Sequence, residues 1–244
     1  MAERVLLELQ SVSKRFGGLL AVDALSFGVR ETEVLGLIGP NGSGKTTVIN
    51  LISGALQPTD GDIYLRDRLI SGRAARHIAQ AGVARTFQLV RTLPSLSVLE
   101  NVVAGAVFGH QRLWGREVRK YAERQLERVG LGHALGMPVA SLTYIDEKRL
   151  ELARALASDP AVLLLDEWLA GLNPTELQTG IELIHSLREE GRTIVLVEHV
   201  MDVIRSLCDR CVVMNGGAKI AEGTPGDTLA DKEVIRAYLG DEDA

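Results

Sequence analysis

The chain has 244 residues, 46% of them hydrophobic, and a formal net charge of −5. It is long enough to bury a substantial core, as one domain or as a large domain with a smaller insert. The mild negative charge, with acidic and basic residues interspersed, argues against a nucleic-acid-binding protein, which usually presents a basic face. No apolar run approaches the ~20 residues that span a bilayer, and the N-terminus lacks a signal-peptide pattern. We therefore expect a cytoplasmic protein, whose role at a membrane would come through other chains.

The N-terminal part of the chain contains short β-rich runs broken by glycine and charged residues. We predict strands at 5–12, 24–29 and 33–38 and interpret them as an antiparallel section. A further short strand is predicted at 63–65, after a turn at 58–61. The run 33–38 is apolar enough to be a buried strand, and it leads directly into a glycine-rich turn.

That turn is a complete phosphate-binding loop. Gly39, Gly44, Lys45 and Thr46 fill the fixed positions of G-x-x-x-x-G-K-[ST], between a strand and a predicted helix at 46–53. Glycines let backbone N–H groups approach a triphosphate, the lysine adds a charge and the threonine hydroxyl can bind Mg²⁺. A turn that merely joins strand to helix does not demand Lys-Thr at this spacing. The predicted nucleotide-binding residues are Gly39, Pro40, Asn41, Gly42, Ser43, Gly44, Lys45, Thr46 and Thr47.

The region from about 87 to 142 changes character, because its apolar residues recur at helical spacing opposite charged faces. Segments 97–107 and 115–129 are predicted helices. Ser97 and Glu100 fit an N-cap with a capping box at the start of the first one. We interpret this region as an inserted helical subdomain.

Helices and strands alternate after residue 142, which predicts parallel α/β architecture. The predicted elements are a helix at 146–158, a strand at 162–166, a helix at 174–189, a strand at 193–198, a helix at 200–207, a hairpin of 211–215 and 219–222, and a helix at 232–239. Cys208 and Cys211 lie where a helix gives way to a strand. A zinc site would need two further ligands and a redox motif should open a helix, so we interpret the pair as buried reduced thiols.

Two adjacent carboxylates, Asp166 and Glu167, end the apolar strand at 162–166. Ligands of parallel α/β sheets collect at the carboxyl edge of the strands, which favours a catalytic role over that of solvated acids at a strand end. Asp166 is predicted to hold Mg²⁺ through water, and Glu167 to polarise the water that attacks the γ-phosphate. His199 ends the next strand and could face the same phosphate, although a histidine there is usually structural.

Taken together, these residues resemble the ATP-binding subunits of ABC transporters over essentially the whole chain. Besides the nucleotide motifs, the chain matches the family's adenine-stacking aromatic at Phe16, its glutamine between core and helical subdomain at Gln88, and its switch histidine at His199. The resemblance is strongest to the importer ATPases for branched-chain amino acids, through the segments 82–88, 170–174, 197–199 and 234–240.

The resemblance implies a P-loop NTPase of ABC type with a mixed-sheet core, an N-terminal antiparallel β subdomain and an inserted α-helical subdomain. The implied boundaries are 1–87 and 143–244 for the core, about 88–142 for the helical subdomain and 225–244 for a C-terminal helix and tail. It also implies ATP hydrolysis, with Glu167, His199 and Gln88 catalytic and Mg²⁺ held by Thr46, Gln88 and, through water, Asp166.

The same resemblance implies partners. Two ATPase subunits would form a head-to-tail dimer in which each ATP lies between one chain's phosphate loop and the other chain's signature segment. The dimer would drive two integral membrane permease subunits on the inner face of the membrane and, indirectly, an extracytoplasmic solute-binding protein, with no nucleic acid involved. The implied solute is a branched-chain amino acid or a related small solute, such as another amino acid, a carboxylate or an amide. It contacts the permease and binding subunits, so this chain does not identify it.

The sequence departs from the family pattern in two places. The signature segment, usually Leu-Ser-Gly-Gly-Gln or a near relative, here reads Leu142, Thr143, Tyr144, Ile145 and Asp146. Thr143 keeps a hydroxyl for the phosphate, whereas Ile145 places a β-branched side chain where glycine permits close approach. Trp168 replaces the proline that usually follows the catalytic glutamate, and we interpret it as a structural residue that packs on neighbouring loops.

These departures leave alternatives open. The chain could pair with a different ATPase, so that one of two composite sites is impaired, or the backbone N–H of Ile145 could suffice at both sites. A soluble ABC-type mechanical or regulatory ATPase without membrane partners is a second function class; such proteins usually carry two cassettes, a coiled coil or a basic face. A nucleotide-binding subunit with negligible hydrolysis is a third, against which the intact Lys45 and Glu167 argue.

Overall fold

The structure is a computed structural model that describes residues 4–110 and 112–239. The described residues form nine α-helices and ten strands, and the strands make up two sheets. The strands are β1 (Val5–Phe16), β2 (Leu19–Arg30), β3 (Val34–Ile38), β4 (Asp60–Leu65), β5 (Arg68–Leu69), β6 (Val83–Arg85), β7 (Val162–Asp166), β8 (Thr193–Val197), β9 (Arg210–Asn215) and β10 (Ala218–Gly223). The helices are α1 (Lys45–Ile52), α2 (Ala75–Ala81), α3 (Val98–Phe108), α4 (Gly115–Arg128), α5 (Tyr144–Ala157), α6 (Pro174–Glu189), α7 (Met201–Leu207), α8 (Pro225–Ala230) and α9 (Lys232–Leu239).

The first sheet is antiparallel, with the strand order β2-β1-β4-β5. Its main unit is a hairpin of β1 and β2, both twelve residues long and longer than predicted. Phe16 pairs with Leu19 at the tip of that hairpin. The hairpin therefore carries the predicted adenine-stacking ring to its end.

The second sheet has the order β10-β9-β3-β8-β7-β6. Neighbouring strands from β9 to β6 run parallel, and only β10 pairs antiparallel, with β9. The prediction that 33–38 belongs to the antiparallel section is wrong, because β3 lies inside this second sheet. All five of its residues are buried, and an unbroken apolar run is typical of an interior parallel strand covered on both faces.

The core consists of two layers, one on each face of the second sheet. Along β7, Val162 and Leu164 pack with α1 and the antiparallel sheet, while Leu163 and Leu165 pack with the helices of the opposite face. This alternation follows from the two-residue period of a strand. The sheet is thus covered on both sides, and ligands can reach it at its edge.

The helix α3 begins as predicted. The Ser97 side chain accepts a hydrogen bond from the Glu100 N–H (3.3 Å), and the Glu100 carboxylate accepts one from the Ser97 N–H (2.8 Å). These reciprocal bonds satisfy backbone donors that the first turn leaves free. The helices α3, α4 and α5 pack on one another, while the boundary of the helical subdomain at 88–142 stays a prediction.

Four short elements, β5, α2, β6 and α8, are absent from the sequence-based prediction. The hairpin β9–β10 and the helix α9 lie where they are predicted, and the tail at 240–244, including Gly240 of the resemblance, lies outside the described residues. Cys208 and Cys211 are free and buried, as predicted. Among the helices that the structure describes, none combines the length and apolarity needed to cross a membrane.

Candidate functional site

The phosphate loop joins β3 to α1, and two of its glycines have no substitute. A Cβ on Gly39 would lie 2.1 Å from the Met214 carbonyl oxygen, and a Cβ on Gly44 would lie 2.5 Å from that of Ala21. Both residues also have a positive φ, of 149° and 104°. The loop is therefore held against β2 and β9 by contacts that only glycine permits.

Lys45 opens α1 and points back over the loop. Its ammonium donates hydrogen bonds to the carbonyl oxygens of Gly39 (2.8 Å) and Pro40 (2.9 Å). Burial lowers the pKa of Lys45, and the nearby Glu167 and Asp166 carboxylates oppose that shift. The ammonium also lies 3.5 Å from Ser43 Oγ. An ammonium bound to such neutral acceptors can exchange them for a phosphate, because hydrogen bonds between two charged groups are the stronger ones.

Asp166 ends β7 and is 1% exposed. Arg85, the last residue of β6, donates a hydrogen bond to its Oδ2 (3.0 Å) and also to Asn50 Oδ1 (2.7 Å) and Ser53 Oγ (3.0 Å) around α1. Burial raises the pKa of Asp166 and the Arg85 guanidinium counteracts it. Arg85 therefore ties the predicted metal-site carboxylate to two neighbouring elements. Sequence reasoning did not identify it, because its partners are 32 or more residues away.

The residues near Asp166 fit a Mg²⁺ ion that is bound together with a nucleotide. Asp166 Oδ1 is buried and has no hydrogen-bond partner among the residues that the structure describes. Thr46 lies in the first turn of α1 with its side chain exposed to the cleft. Among the residues that the structure describes, no cluster of three or more His, Cys, Asp or Glu side chains could hold a metal ion.

Glu167 brings the three predicted catalytic residues together. Its Oε2 accepts a hydrogen bond from Gln88 Nε2 (2.6 Å), and its Oε1 lies 2.7 Å from His199 Nε2. These residues follow β6, β7 and β8, whose carboxyl ends meet at one edge of the sheet. The backbone of Glu167 is left-handed, with φ of 50°, a strained conformation of the kind found at active sites.

An open cleft of about 1100 Å³ lies in front of these groups. Its lining includes Phe16, Pro40, Asn41, Gly42, Gly44, Lys45, Thr46, Thr47, Gln88, Glu167 and His199 from the predicted site. Gly39, Ser43 and Asp166 are buried behind that lining. The cleft also includes residues that the sequence analysis did not identify, which are Leu19, Leu20, Ala21, Gly216, Gly217 and Tyr238. They come from the tips of two hairpins and from α9, and no motif marks them.

Phe16 forms one end of the cleft and is 45% exposed. Lys14 Nζ lies 5.2 Å from the centre of its ring. An exposed aromatic face beside a phosphate loop suits stacking on a planar base. The position of Phe16 is therefore compatible with its predicted role.

The signature segment, Leu142–Asp146, does not line the cleft of its own chain. Thr143 is the N-cap of α5; its hydroxyl accepts from the Asp146 N–H (3.3 Å) and donates to Asp146 Oδ2 (2.7 Å). Tyr144 and Ile145 lie in the first turn of that helix, whose N–H groups lack intrahelical acceptors. The role of this segment at a partner's nucleotide stays a prediction.

Trp168 is 1% exposed, and its indole N–H donates a hydrogen bond to the Lys148 carbonyl oxygen (3.1 Å). A Cβ on Gly180 of α6 would lie 3.2 Å from the Trp168 ring. The ring is thus enclosed between α5 and α6, which agrees with the structural role predicted for it.

Models of known protein families match two parts of this chain. The family described as "ABC transporter" matches residues 22–170, and the one described as "Branched-chain amino acid ATP-binding cassette transporter" matches residues 218–244. The high-affinity branched-chain amino acid transport ATP-binding protein LivG of Salmonella typhimurium is 42% identical, over 97% of this chain and 98% of the relative.

Solved structures of ATP-binding cassettes resemble the whole fold. The ADP conformation of MJ1267, an ATP-binding cassette of an ABC transporter, superposes with a TM-score of 0.87 at 29% identity, over 97% of this chain and 99% of that chain. A dimeric post-hydrolysis state of the cassette MJ0796, bound to ADP and Pi, gives a TM-score of 0.81 at 26% identity, over 90% and 99%.

Proposed function

Because this chain belongs to the ABC transporter family of ATP-binding cassettes, we propose that it is the ATP-hydrolysing subunit of an importer for branched-chain amino acids. The match of residues 218–244 to the branched-chain family and the 42% identity to LivG support that solute class. The catalytic part of the proposal rests on one observation, which is that Gln88 and His199 hold the Glu167 carboxylate at the cleft that Lys45 also lines.

In this proposal ATP lies across the cleft, with its adenine on Phe16 and its β- and γ-phosphates on Lys45 and the loop N–H groups. Thr46 and Gln88 would bind Mg²⁺, and Asp166 would bind it through water. The bound ion supplies positive charge that neutralises the phosphate oxygens. Gln88 donates to Glu167 through its amide nitrogen Nε2, whereas a metal would bind its amide oxygen Oε1, so one side chain could make both contacts.

Glu167 would orient a water molecule toward the γ-phosphorus and take its proton. A bond forms from the water oxygen to phosphorus, the bond from phosphorus to the bridging oxygen breaks, and ADP leaves with that oxygen. His199 Nε2 is within hydrogen-bond distance of the Glu167 carboxylate in this structure. The imidazole would turn away from that carboxylate and toward the γ-phosphate when ATP is bound. The histidine would thus report whether the γ-phosphate is present.

A second ATPase subunit would complete the site by placing its own Leu142–Asp146, or the equivalent segment of a different ATPase, on the γ-phosphate. The dimeric state of the MJ0796 cassette supports a dimer here. Two integral membrane permease subunits would hold the pair at the inner face of the membrane, and a solute-binding protein would act on the outer side. The intact catalytic residues and the branched-chain match disfavour a soluble mechanical ATPase and a non-hydrolysing subunit.

Solute uptake tests the proposal. A strain that lacks this chain should lose most of its ATP-dependent uptake of labelled leucine, isoleucine and valine. Expression of the chain should restore that uptake, and expression of the Lys45→Ala variant should not. Normal branched-chain uptake in the deletion strain would contradict the proposed solute class. Co-purification with polytopic membrane proteins separates an importer subunit from a soluble ATPase.

A further inference from the structure

A lysine that the proposed mechanism does not use is buried two residues after the signature segment. Lys148 of α5 is 1% exposed. Its ammonium donates hydrogen bonds to the backbone oxygens of Trp168 (2.8 Å) and Ala170 (2.8 Å), and it lies 3.4 Å from that of Glu167. One side chain therefore contacts three carbonyls of the loop that carries the predicted catalytic glutamate.

The contact is reciprocal. The Trp168 indole N–H donates to the backbone oxygen of Lys148, while the Lys148 ammonium donates to the backbone oxygen of Trp168. Trp168 occupies the position where the family usually has proline, which has no side-chain donor. We call this pair of side chains and the two bonds between them the latch.

The latch also contacts the signature segment. Lys148 Nζ lies 5.2 Å from the centre of the Tyr144 ring, one helical turn earlier on the same face. The same ring lies close to the loop, since a Cβ on Gly171 would be 3.8 Å from its Cε1. Tyr144, Lys148 and the backbone of 167–171 thus form one packed unit.

We propose that Lys148 and Trp168 are positioning residues, which link the placement of the signature segment to the placement of the Glu167 carboxylate in the same chain. This inference rests on the proposed function. A partner's nucleotide that engages Thr143 and Tyr144 moves the start of α5, and the latch carries that movement to Glu167. The hydrolysis site of one chain then responds to the nucleotide held by the signature segment of that same chain.

This coupling has a physical reason, which is the cost of separating the buried Lys148 ammonium from its hydrogen-bond acceptors. Burial lowers the pKa of Lys148, and the carboxylates of Glu198, Glu151 and Glu167 oppose that shift. A buried cation that loses its hydrogen-bond acceptors carries a large desolvation penalty. The loop carbonyls and α5 therefore move together rather than separately.

The variants Lys148→Met and Trp168→Phe test the latch, since each removes one set of donors; Lys148→Met nearly keeps the packing volume, whereas Trp168→Phe also removes part of a buried ring. We expect Lys148→Met to lower kcat on the order of 10- to 100-fold, because small misplacements of a catalytic group have effects of that size. The dissociation constant for ATP should change less than about threefold, because the phosphate loop is untouched. Trp168→Phe should lower kcat less, and the double variant should resemble Lys148→Met alone. Lys120→Met, an exposed lysine of α4, is the matched control.

A structural role alone would predict lower thermal stability with unchanged kcat in the folded fraction, and that result would overturn the proposal. Additive effects of the two substitutions on kcat would also overturn it. Trp168→Phe provides the milder variant where Lys148→Met does not fold.

Tryptophan emission gives a second readout that does not depend on hydrolysis. The chain has two tryptophans, and Trp114 is 69% exposed, so Trp114→Phe leaves Trp168 as the only reporter. We expect Mg-ATP to shift Trp168 emission in this background and the added Lys148→Met substitution to remove the shift. Unchanged Trp168 emission in a Mg-ATP dimer, identified by size-exclusion chromatography with light scattering, would overturn the latch. Absence of ATP hydrolysis by the wild-type chain assembled with its partner ATPase would instead contradict the proposed function, while the emission experiment would still decide the latch.

Discussion

The phosphate-loop side of the cleft and the signature segment serve the same nucleotide chemistry in this family, yet this chain builds them differently. On the phosphate-loop side, a Cβ at Gly39 or Gly44 would collide with a backbone oxygen, and the polar side chains are already hydrogen-bonded to one another. The signature segment is the first turn of a helix, capped by Thr143. Its predicted contribution to a partner's phosphate would come mainly from backbone N–H groups. The first region therefore restricts residues 39 and 44 to glycine, whereas the second can accept Tyr144 and Ile145.

Replacing Glu167 gives the largest expected effect on the phosphate-loop side. Glu167→Gln keeps the size of the side chain and one of its two acceptor oxygens but cannot take a proton, so turnover should fall by about 10³-fold while ATP still binds. Phosphate release and ATP titration measure the two quantities. Lys45→Ala should lose both, and normal hydrolysis by either variant would contradict the roles proposed for them.

The same variant tests the signature segment. Glu167→Gln should form a dimer in Mg-ATP and a monomer without it, as measured by size-exclusion chromatography with light scattering. Such a dimer would show that Thr143 and Ile145 can complete a site in a second copy. A monomer that binds ATP would favour a different ATPase as the partner.

Arg85→Met should lower the free energy of unfolding by about 3–5 kcal/mol, because it leaves the buried Asp166 carboxylate unpaired. Urea denaturation measures this change. Arg68→Met, an exposed arginine of β5, is the control and should change stability little. Adding Asp166→Asn to the Arg85→Met variant should recover part of the loss. Equal stability of the Arg85→Met variant and the wild type would show that the ion pair does not hold this side of the cleft together.

Glu198 should make stability depend on pH. Burial raises its pKa from an ordinary value of 4.5 to about 7, against the Leu169 N–H and the charge of Lys148. The folded state then binds the proton more tightly than the unfolded state, so this contribution to stability is lost as pH rises from about 4.5 through about 7.

The comparison of wild type with Glu198→Gln isolates that contribution. Relative to the variant, wild type should lose as much as about 3 kcal/mol of unfolding free energy between pH 5 and pH 8. Urea denaturation at the two pH values measures the difference. The same pH slope in both proteins would exclude Glu198 as its source.

Ile145→Gly gives the smallest expected effect and addresses the signature segment directly. Removing the β-branched side chain should raise turnover of the assembled pair about threefold if that side chain keeps phosphate at a distance. Unchanged turnover would contradict the hypothesis of an impaired site. It would favour the alternative that the backbone N–H of Ile145 suffices at both composite sites.

Much of the fold could be predicted because its signals are local. The phosphate loop, the capping box of α3 and the alternation after residue 142 each depend on neighbouring residues, and the structure places these elements as expected. The strand β3 was assigned to the wrong sheet, because its neighbours in the sheet, β8 and β9, come more than 150 residues later. Pairing over that distance leaves no local pattern.

The site divides in the same way. Lys45 could be found from the spacing of the phosphate-loop motif, and Asp166 and Glu167 could be found from their place at the end of an apolar strand. Arg85 and Tyr238 could not be found, because an arginine on a short strand and a tyrosine on a terminal helix acquire their positions only when distant segments pack.

The two cysteines provide one further consequence. Their sulfur atoms lie beside Gly36 of β3, where a Cβ would be 3.0 Å from one and 3.1 Å from the other. The hydrogen bond with Cys211, and then burial, raise the pKa of Cys208, whereas the same hydrogen bond lowers the pKa of Cys211. Both side chains are buried, so a thiol reagent can attack them only after the centre of the parallel sheet opens. The rate of labelling at saturating reagent should equal the opening rate of that sheet. The labelling rate of the two thiols therefore measures the kinetic stability of the domain.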